Sequence, residues 1–393
     1  MKDPVVVIGA ARTPLGGLLG VLSGVTAPAL GAAAIRAGLE RANIPPEAIG
    51  EAIMGCVLPA GIGQAPARQA SIGAGIPRSV PCTTINKMCG SGMRAVMFGM
   101  DLLQAGSVKT VAAGGMESMS NAPHLLPRLR GGLRLGHGQV LDHMFLDGLE
   151  DAYDRGRLMG TFAEDTAKKY GFTREQQDAF AITSLTRAQS AIRDGKFRDE
   201  IVPVTVPSRK GETLVDTDEQ PGSANIDKIP TLKPAFAKDG TVTPANSSSI
   251  SDGAAALILT TQAEAERLGS RPLARLVGYA SHAQEPAWFT TAPVGAMERL
   301  LKTIGWKTAD VDLWEINEAF AVVTMVAMHD MKLPHEKVNV HGGACALGHP
   351  IGASGARILV TLMAALKDRG LKRGVAGICI GGGEATALAL ELI

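Results

Sequence analysis

Residues 85–96 read INKMCGSGMRAV and residues 348–358 read GHPIGASGARI. Each carries a run of small residues and then Ser-Gly-X-Arg, at 91–94 and again at 354–357, opening a segment with helical spacing. Glycine-rich strand exits follow 26 and 30 residues on, at 114–117 (GGME) and 382–384 (GGE). A repeat of turn, helix and glycine-rich exit at both ends of a chain indicates duplication, so the two copies of each turn should face one another. Around them, short Val/Ile runs at 5–8, 111–113 and 374–380 alternate with Ala-rich amphipathic segments at 29–41, 94–105 and 356–367. That alternation predicts an α/β architecture.

The middle of the chain breaks the pattern. From 119 to 247 there are Pro, Arg and Gly clusters, including RLRGGLRLG at 128–136, then polar helical stretches near 161–170 and 173–194, then an irregular Pro- and Ser-rich run at 203–249. This reads as an insertion. The expected organisation is a first domain from 1–118 with 248–270, a loop domain at 119–247 and a second domain at 271–393.

Composition narrows the function. Glycine supplies 47 of 393 residues, about 12% against roughly 7% in average proteins, so backbone that turns sharply or approaches a ligand is common. Lys+Arg 39 against Asp+Glu 38 leaves no basic excess for a phosphate backbone, which argues against nucleic acid as a partner. No apolar run approaches the ~20 residues that span a bilayer, and the N-terminal MKDPVVVIGAARTP has no signal-peptide character, so no membrane partner and a cytoplasmic location are expected. The five cysteines, Cys56, Cys82, Cys89, Cys345 and Cys379, are scattered without a CxxC pair, which argues against a disulfide framework or structural zinc.

Four segments can carry chemistry. Cys89 precedes Gly90-Ser91-Gly92 at a helix start, where the dipole and free N–H groups favour a thiolate; the alternative is a buried cysteine beside a tight turn. His349, held between Gly348 and Pro350, sits in the turn that matches the Cys89 turn; otherwise it is an ordinary loop residue, and the metal reading raised by His341 four residues from Cys345 lacks a third ligand with sensible spacing. Cys379 precedes the triple glycine 381–383, whose N–H groups can converge on one oxygen. A dinucleotide fingerprint is the rival reading there, and it lacks both the spacing and a following acidic residue. Asn317 and Glu318, in WEINEAFA at 314–321, form a polar patch in which Asn317 is a helix N-cap candidate. Two cysteines, a histidine and an asparagine around glycine-rich turns suit acyl transfer through a thioester, with a second base removing a proton α to a carbonyl.

Taken together these segments resemble the thiolase family, most closely its acetoacetyl-CoA-forming branch. Supporting runs are AARTP (10–14), VLPAGIGQAPARQA (57–70), GGMESMSNAPH (114–124), MGTFAED (159–165), DGTVTPANSSSISDGAAA (239–256), NEAF (317–320) and CIGGG (379–383). The resemblance implies two duplicated α/β domains in a five-layer αβαβα arrangement with an inserted loop domain. It implies an acetyl-CoA C-acetyltransferase that joins two acetyl-CoA reversibly into acetoacetyl-CoA and CoA, by ping-pong chemistry. By the family's pattern Cys89 is acylated, His349 activates it, Cys379 exchanges the α-proton, and Asn317 and Gly381 belong to the oxyanion holes. Ser248 matches a pantetheine contact, and Leu149, Met159, Phe236, Ala319 and Phe320 match pocket-lining positions. No cofactor is implied, CoA being substrate and product, and the assembly implied is a homo-oligomer, a dimer of dimers, with 128–136 at the tetramer contacts. Leu158 stands where many members of this branch have His, which raises the alternative of a longer-chain 3-ketoacyl-CoA thiolase; an alternative of another class is a non-catalytic acyl-CoA-binding subunit.

Overall fold

The computed structural model describes residues 3–208 and 211–393. The first half runs β1 (Val5–Arg12), β2 (Gly16–Gly17), α1 (Ala27–Ala42), β3 (Glu51–Gly55), α2 (Pro66–Gly73), β4 (Cys82–Ile85), α3 (Ser91–Ala105) and β5 (Thr110–Ser118). Then come a small ribbon of β6 (His124–Leu125) with β7 (Leu141–Asp142), α4 (Met159–Tyr170), α5 (Arg174–Arg193), the hairpin of β8 (Val204–Ser208) and β9 (Gly211–Val215), and α6 (Glu219–Ser223). The chain returns through β10 (Ser251–Thr261) and α7 (Gln262–Leu268) to β11 (Ala274–Ala283), α8 (Ala292–Ile304), β12 (Leu313–Ile316), α9 (Ala321–Met331), α10 (Ala344–Leu347), α11 (Ser354–Arg369), β13 (Arg373–Ile380) and β14 (Glu384–Leu392). No helix among the described residues is long and apolar enough to cross a membrane.

Ten strands form one sheet in the order β12-β13-β14-β11-β1-β10-β5-β3-β4, with β2 on β10. Divided between β11 and β1, the order outward is β1-β10-β5-β3 on one side and β11-β14-β13-β12 on the other, and the senses agree: β3 is parallel to β5 as β12 is to β13, and β10 is antiparallel to β5 as β14 is to β13. Even β4, parallel beside β3, has a trace of a partner in the parallel bridge of Trp314 with Val338. The duplication is therefore a property of the topology.

Strands buried on both faces read as unbroken apolar runs, and β1, β5 and β10 do. Successive side chains then serve different cores. Val111 and Leu257 join Ile378 and Leu388 of the other half around α3 (Val96, Met97) and α11 (Leu359, Leu362), while their neighbours Ala112 and Ile258 pack on α1 (Leu30, Ile35). On the far side Val375, Ala387 and Ala389 meet Met297 and Leu300 of α8. The layers are thus helix, sheet half, the α3/α11 pair, sheet half, helix, the five-layer α/β fold expected.

At the centre α3 and α11 cross on reciprocal glycines. A Cβ at Gly92 would stand 2.8 Å from the Ala356 nitrogen, and one at Gly355 would stand 2.5 Å from the Met93 nitrogen. The helix starts match as the repeat predicts, since Ser91 and Ser354 are both first helical residues. The glycine-rich exits do not match. Gly114 and Gly115 lie inside β5, where a Cβ would come 2.1 Å from the Ala255 oxygen and 2.0 Å from the Gly352 oxygen. Gly382 and Gly383 lie in the turn between β13 and β14 with φ of 91° and 87°. The bulges of β1 (Val7/Gly9) and β11 (Leu276/Gly278) align Ile258 with Ala389, and so make Gly114, opposite Met54, the counterpart of Gly377, opposite Ile316. Glycine recurs in the two exits for different reasons, close approach in one and a left-handed turn in the other. The first half's equivalent of the 381–383 turn is where the chain leaves β5 for the intervening segment.

The helices expected near 161–170 and 173–194 are α4 and α5, the latter started by a Thr173/Gln176 capping box. The run at 203–249 is less irregular than its composition suggests, since it holds the β8/β9 hairpin and α6. Arg12, fully buried on β1, ties this segment down: its guanidinium donates to Glu200 (2.6 Å) and to both oxygens of Asp218 (2.7 and 2.8 Å).

Candidate active site

Five residues separate β4 from α3, and Cys89 stands among them. Met88 takes φ +47°, a left-handed conformation unusual for a side chain of its size, and Ser91 secures the turn by donating to the Met88 carbonyl (2.6 Å) and accepting from the Lys87 N–H (2.8 Å). Cys89 is half-buried and packs with Leu58, Met88, Leu149 and Ile351. The helix start does not produce a resting thiolate. Burial pushes the thiol up to about 11, outweighing the amides of Gly381 and of Cys89 itself, which pull it down, and Glu117 adds to the rise. The thiol needs a base.

His349 follows Gly348, whose φ of 103° brings it so near Ser251 that a Cβ would lie 2.1 Å from the hydroxyl oxygen. The His349 N–H donates to the Ser249 carbonyl (3.1 Å) and to Ser251 Oγ (3.2 Å). Its Nδ1 is 2.6 Å from Ser354 Oγ, and that hydroxyl donates onward to the Pro350 carbonyl (3.0 Å). With the hydroxyl proton so committed, Nδ1 carries the ring proton and Nε2 the lone pair. Nε2 is buried without a partner among the described residues. Burial, with Arg357 nearby, lowers the imidazole to about 3, so it is a neutral base at any ordinary pH.

Cys379, near the end of β13, is fully buried against Phe162, Ala319 and Phe320, with Met159 and Phe236 alongside. Burial raises its thiol pKa well above the usual range, and negative charge on Cys89 raises it further, which places the two sulfurs within electrostatic reach. Asn317 follows β12 and donates its N–H to the Gly377 carbonyl (3.0 Å), while both polar atoms of its buried side chain lack a partner among the described residues. It is not a helix cap, because α9 begins at Ala321 with Phe320 in the capping position. Such an amide is free to hold water or a carbonyl oxygen.

The remaining sequence-derived positions fall around the two cysteines. Leu149 ends a π-turn (Phe145–Leu149) and packs with Cys89. Gly381 opens the turn after β13, and a Cβ there would lie 3.5 Å from Met159 Sδ. The Phe236 and Phe320 rings meet edge to face at 6.0 Å, and Ser248, half-buried, donates its N–H to the Ala319 carbonyl (2.9 Å). Leu158 sits at the start of α4, beside Met159. His341 is buried with Nε2 3.5 Å from Asp368.

Three residues have supporting roles that their motifs do not reveal. Ser354 fixes the His349 tautomer. Glu318, fully buried, accepts from Ser184 (2.7 Å), Asn339 (2.8 Å) and the Cys345 N–H (3.1 Å), anchoring the turn that bears Asn317. Glu117 accepts from the backbone of both halves. The available signal was an acidic residue inside an otherwise apolar or glycine-rich run, in GGMES and INEAF.

Matched turns of a duplicated α/β chain that carry two cysteines, a neutral histidine and an unpartnered amide have the groups acyl transfer needs. The model for the thiolase N-terminal domain matches residues 5–263 and that for the thiolase C-terminal domain matches 270–392, and the chain belongs to the thiolase family. It is similar to the acetyl-CoA acetyltransferases of Thiocystis violacea (49% identical over 394 residues, all of both chains) and Cupriavidus necator (50% over 389 residues, 98% of this chain and 99% of the other). It is also similar to acetyl-CoA acetyltransferase 2 of Arabidopsis thaliana (51% over 393 residues, 99% and 97%). Among solved structures it superposes on the acetyl-CoA acetyltransferase of Bacillus anthracis (TM-score 0.97, 39% identity, 100% and 99% covered). It likewise superposes on the Acat5 thiolase of Ascaris suum in complex with coenzyme A (TM-score 0.94, 43% identity, 100% of both).

Proposed function

We propose that the protein is an acetyl-CoA C-acetyltransferase, condensing two acetyl-CoA to acetoacetyl-CoA and CoA and running the reverse thiolysis through an acyl-cysteine on Cys89. The observation that carries this is the pairing of a buried thiol held near 11 with a histidine whose only free nitrogen is an unprotonated Nε2. In the first half-reaction Nε2 takes the Cys89 proton, the sulfur bonds to the acetyl carbon, and CoA leaves with a proton from Cys379. The Cys379 thiolate then removes the α-proton of a second acetyl-CoA, the carbanion attacks the acyl-enzyme, and Cys89 departs to be reprotonated by His349. Protons balance with no other group required. The Asn317 amide, and the N–H groups of Cys89 and Gly381, supply donors for the oxygens that gain charge. Ser248, Leu149, Met159, Phe236, Ala319 and Phe320 receive the pantetheine and acyl portions of CoA substrates, in support of which stand their grouping around the two cysteines and a CoA complex among the similar structures.

Intact-mass analysis after incubation with acetyl-CoA should find one acetyl group, on Cys89. Cys89→Ala should abolish it, whereas Cys379→Ala should still acylate but lose α-proton exchange; an unmodified Cys89 together with no thiolysis of acetoacetyl-CoA would overturn the reading. Chain length is the second question. Leu158 beside Met159 favours a test of the broader reading, a comparison of kcat/KM for acetoacetyl-CoA and 3-ketohexanoyl-CoA thiolysis. Self-association is supported by a run of exposed apolar residues, Leu126, Leu129, Leu133, Leu135 and Val140, within 126–140. A dimer of dimers is the reading, with light scattering as its check: Leu135→Asp should convert tetramers to dimers, and a wild-type monomer at micromolar concentration would refute it.

A further inference from the structure

The duplicated topology permits the catalytic half to be compared with its own twin. Because Gly114 corresponds to Gly377 and Met54 to Ile316, Met116 is the counterpart of Cys379 and Gly55 that of Asn317, with Glu117 and Cys56 the next residues in the chain; because Ser91 corresponds to Ser354, Gly352 is the counterpart of Cys89. Where one half has the Cys89 thiol, the other has Gly352, whose N–H is seated on Glu117, the neighbour in the chain of the Cys379 counterpart. The Glu117 carboxylate, fully buried, accepts from the N–H of Gly352 (2.8 Å), Val57 (2.9 Å) and Leu58 (3.1 Å) and from Cys56 Sγ (3.6 Å).

Gly352 belongs to the loop of His349 and Ser354. Its peptide is seated in a slot of the other half, where a Cβ on Gly115 would lie 2.0 Å and one on Gly55 2.8 Å from the Gly352 oxygen. A Cβ on Gly352 itself would lie 2.5 Å from Glu117 Oε2. Thus the carbonyl of this peptide fits between two glycines and its N–H is held by Glu117, three residues beyond the imidazole. We propose that Glu117 is a positioning residue: from the end of β5 it locks the Gly352 peptide onto the first half and so holds His349 Nε2 at Cys89, whose sulfur is carried by that same half. Without the carboxylate the N–H groups of Gly352, Val57 and Leu58 lose their shared acceptor, and the loop is docked by shape alone.

The proposal rests on the acyl-transfer reading, and the experiment separates the two. Acetoacetyl-CoA thiolysis is followed in the full-length protein for wild type, Glu117→Gln, Ser354→Ala and the double variant, with far-UV dichroism and melting temperature as checks of folding. Glutamine offers one acceptor oxygen where two are used and sets an N–H₂ against backbone donors. The expected result is a kcat lower by roughly 10- to 100-fold, the scale on which a displaced catalytic group slows a reaction, with KM within about twofold. Since Ser354 orients the same imidazole, the double variant should be no slower than about the slower single one. A folded Glu117→Gln enzyme with wild-type kcat and only a lower melting temperature overturns the proposal, as does a double variant whose losses multiply. If Glu117→Gln does not fold, Glu117→Asp, which keeps the charge and draws the oxygens back by one methylene, is read on the same criteria. A wild type without thiolysis sinks the acyl-transfer reading; a wild type that turns over beside an unimpaired Glu117→Gln sinks this inference alone.

Discussion

At Cys89 and His349 local sequence and tertiary environment pull in opposite directions. Gly-rich flanks and a following helix favour thiolate, yet burial wins and leaves a neutral thiol on one matched turn and a neutral imidazole on the other. This has a pH consequence with a definite sign. A histidine lowered to about 3 stays in its basic form as the medium is acidified through 6.5, so kcat/KM should keep the His349-dependent step well below pH 6.5; a rate profile with an acid limb at 6.5 that vanishes in His349→Asn would contradict it. Folding follows the same logic. Between 6.5 and about 3 the unfolded chain takes up a proton on His349 that the native site refuses, so stability is complete above that window and is lost progressively as pH falls through it. The identities of both cysteines and of His349 were legible in sequence because glycine and proline flanks mark turns. The supporting roles of Glu117 and Glu318 were not, since their partners lie up to 235 residues away and only folding brings them together; that of Ser354, four and five residues from its partners, depended on the shape of the turn.

Among the elements, α3 and α11 do most to define the site, since each begins at one of the matched turns. Their crossing depends on two glycines rather than on interdigitated large side chains. Adding a methyl at Gly92 or Gly355 drives it against backbone atoms that have no rotamer to yield, and each alanine variant should lose about 1–3 kcal/mol, read as a lower urea midpoint. The reciprocal geometry adds a condition: the two losses should be alike, and a neutral Gly355→Ala beside a costly Gly92→Ala would mean that the contacts are not equivalent. Helix existence was readable from 3.6-residue spacing, and the strands from their apolar runs. The equivalence of the exits was misread because glycine is demanded both by close packing in β5 and by positive φ after β13, and composition does not distinguish those causes.

For the whole molecule the question is how a segment of more than a hundred residues stays registered on the site. Arg12 is one answer, since one guanidinium on β1 pairs with both Glu200 and Asp218, all three buried. Arg12→Met would leave two buried carboxylates without their cation, and a loss of roughly 3–5 kcal/mol is expected. A melting temperature unchanged from wild type would show that the segment is held by its apolar contacts alone. The sequence by itself determined the α/β class, the duplication and the candidates for chemistry, because periodicity, turn-forming glycines and nucleophile flanks are local properties written in consecutive positions. The protonation states, the tautomer of His349 and the docking of the Gly352 loop on Glu117 were decided only by the tertiary structure. Burial, and hydrogen bonds between the two halves of the chain, exist only once the sheet has brought those halves together.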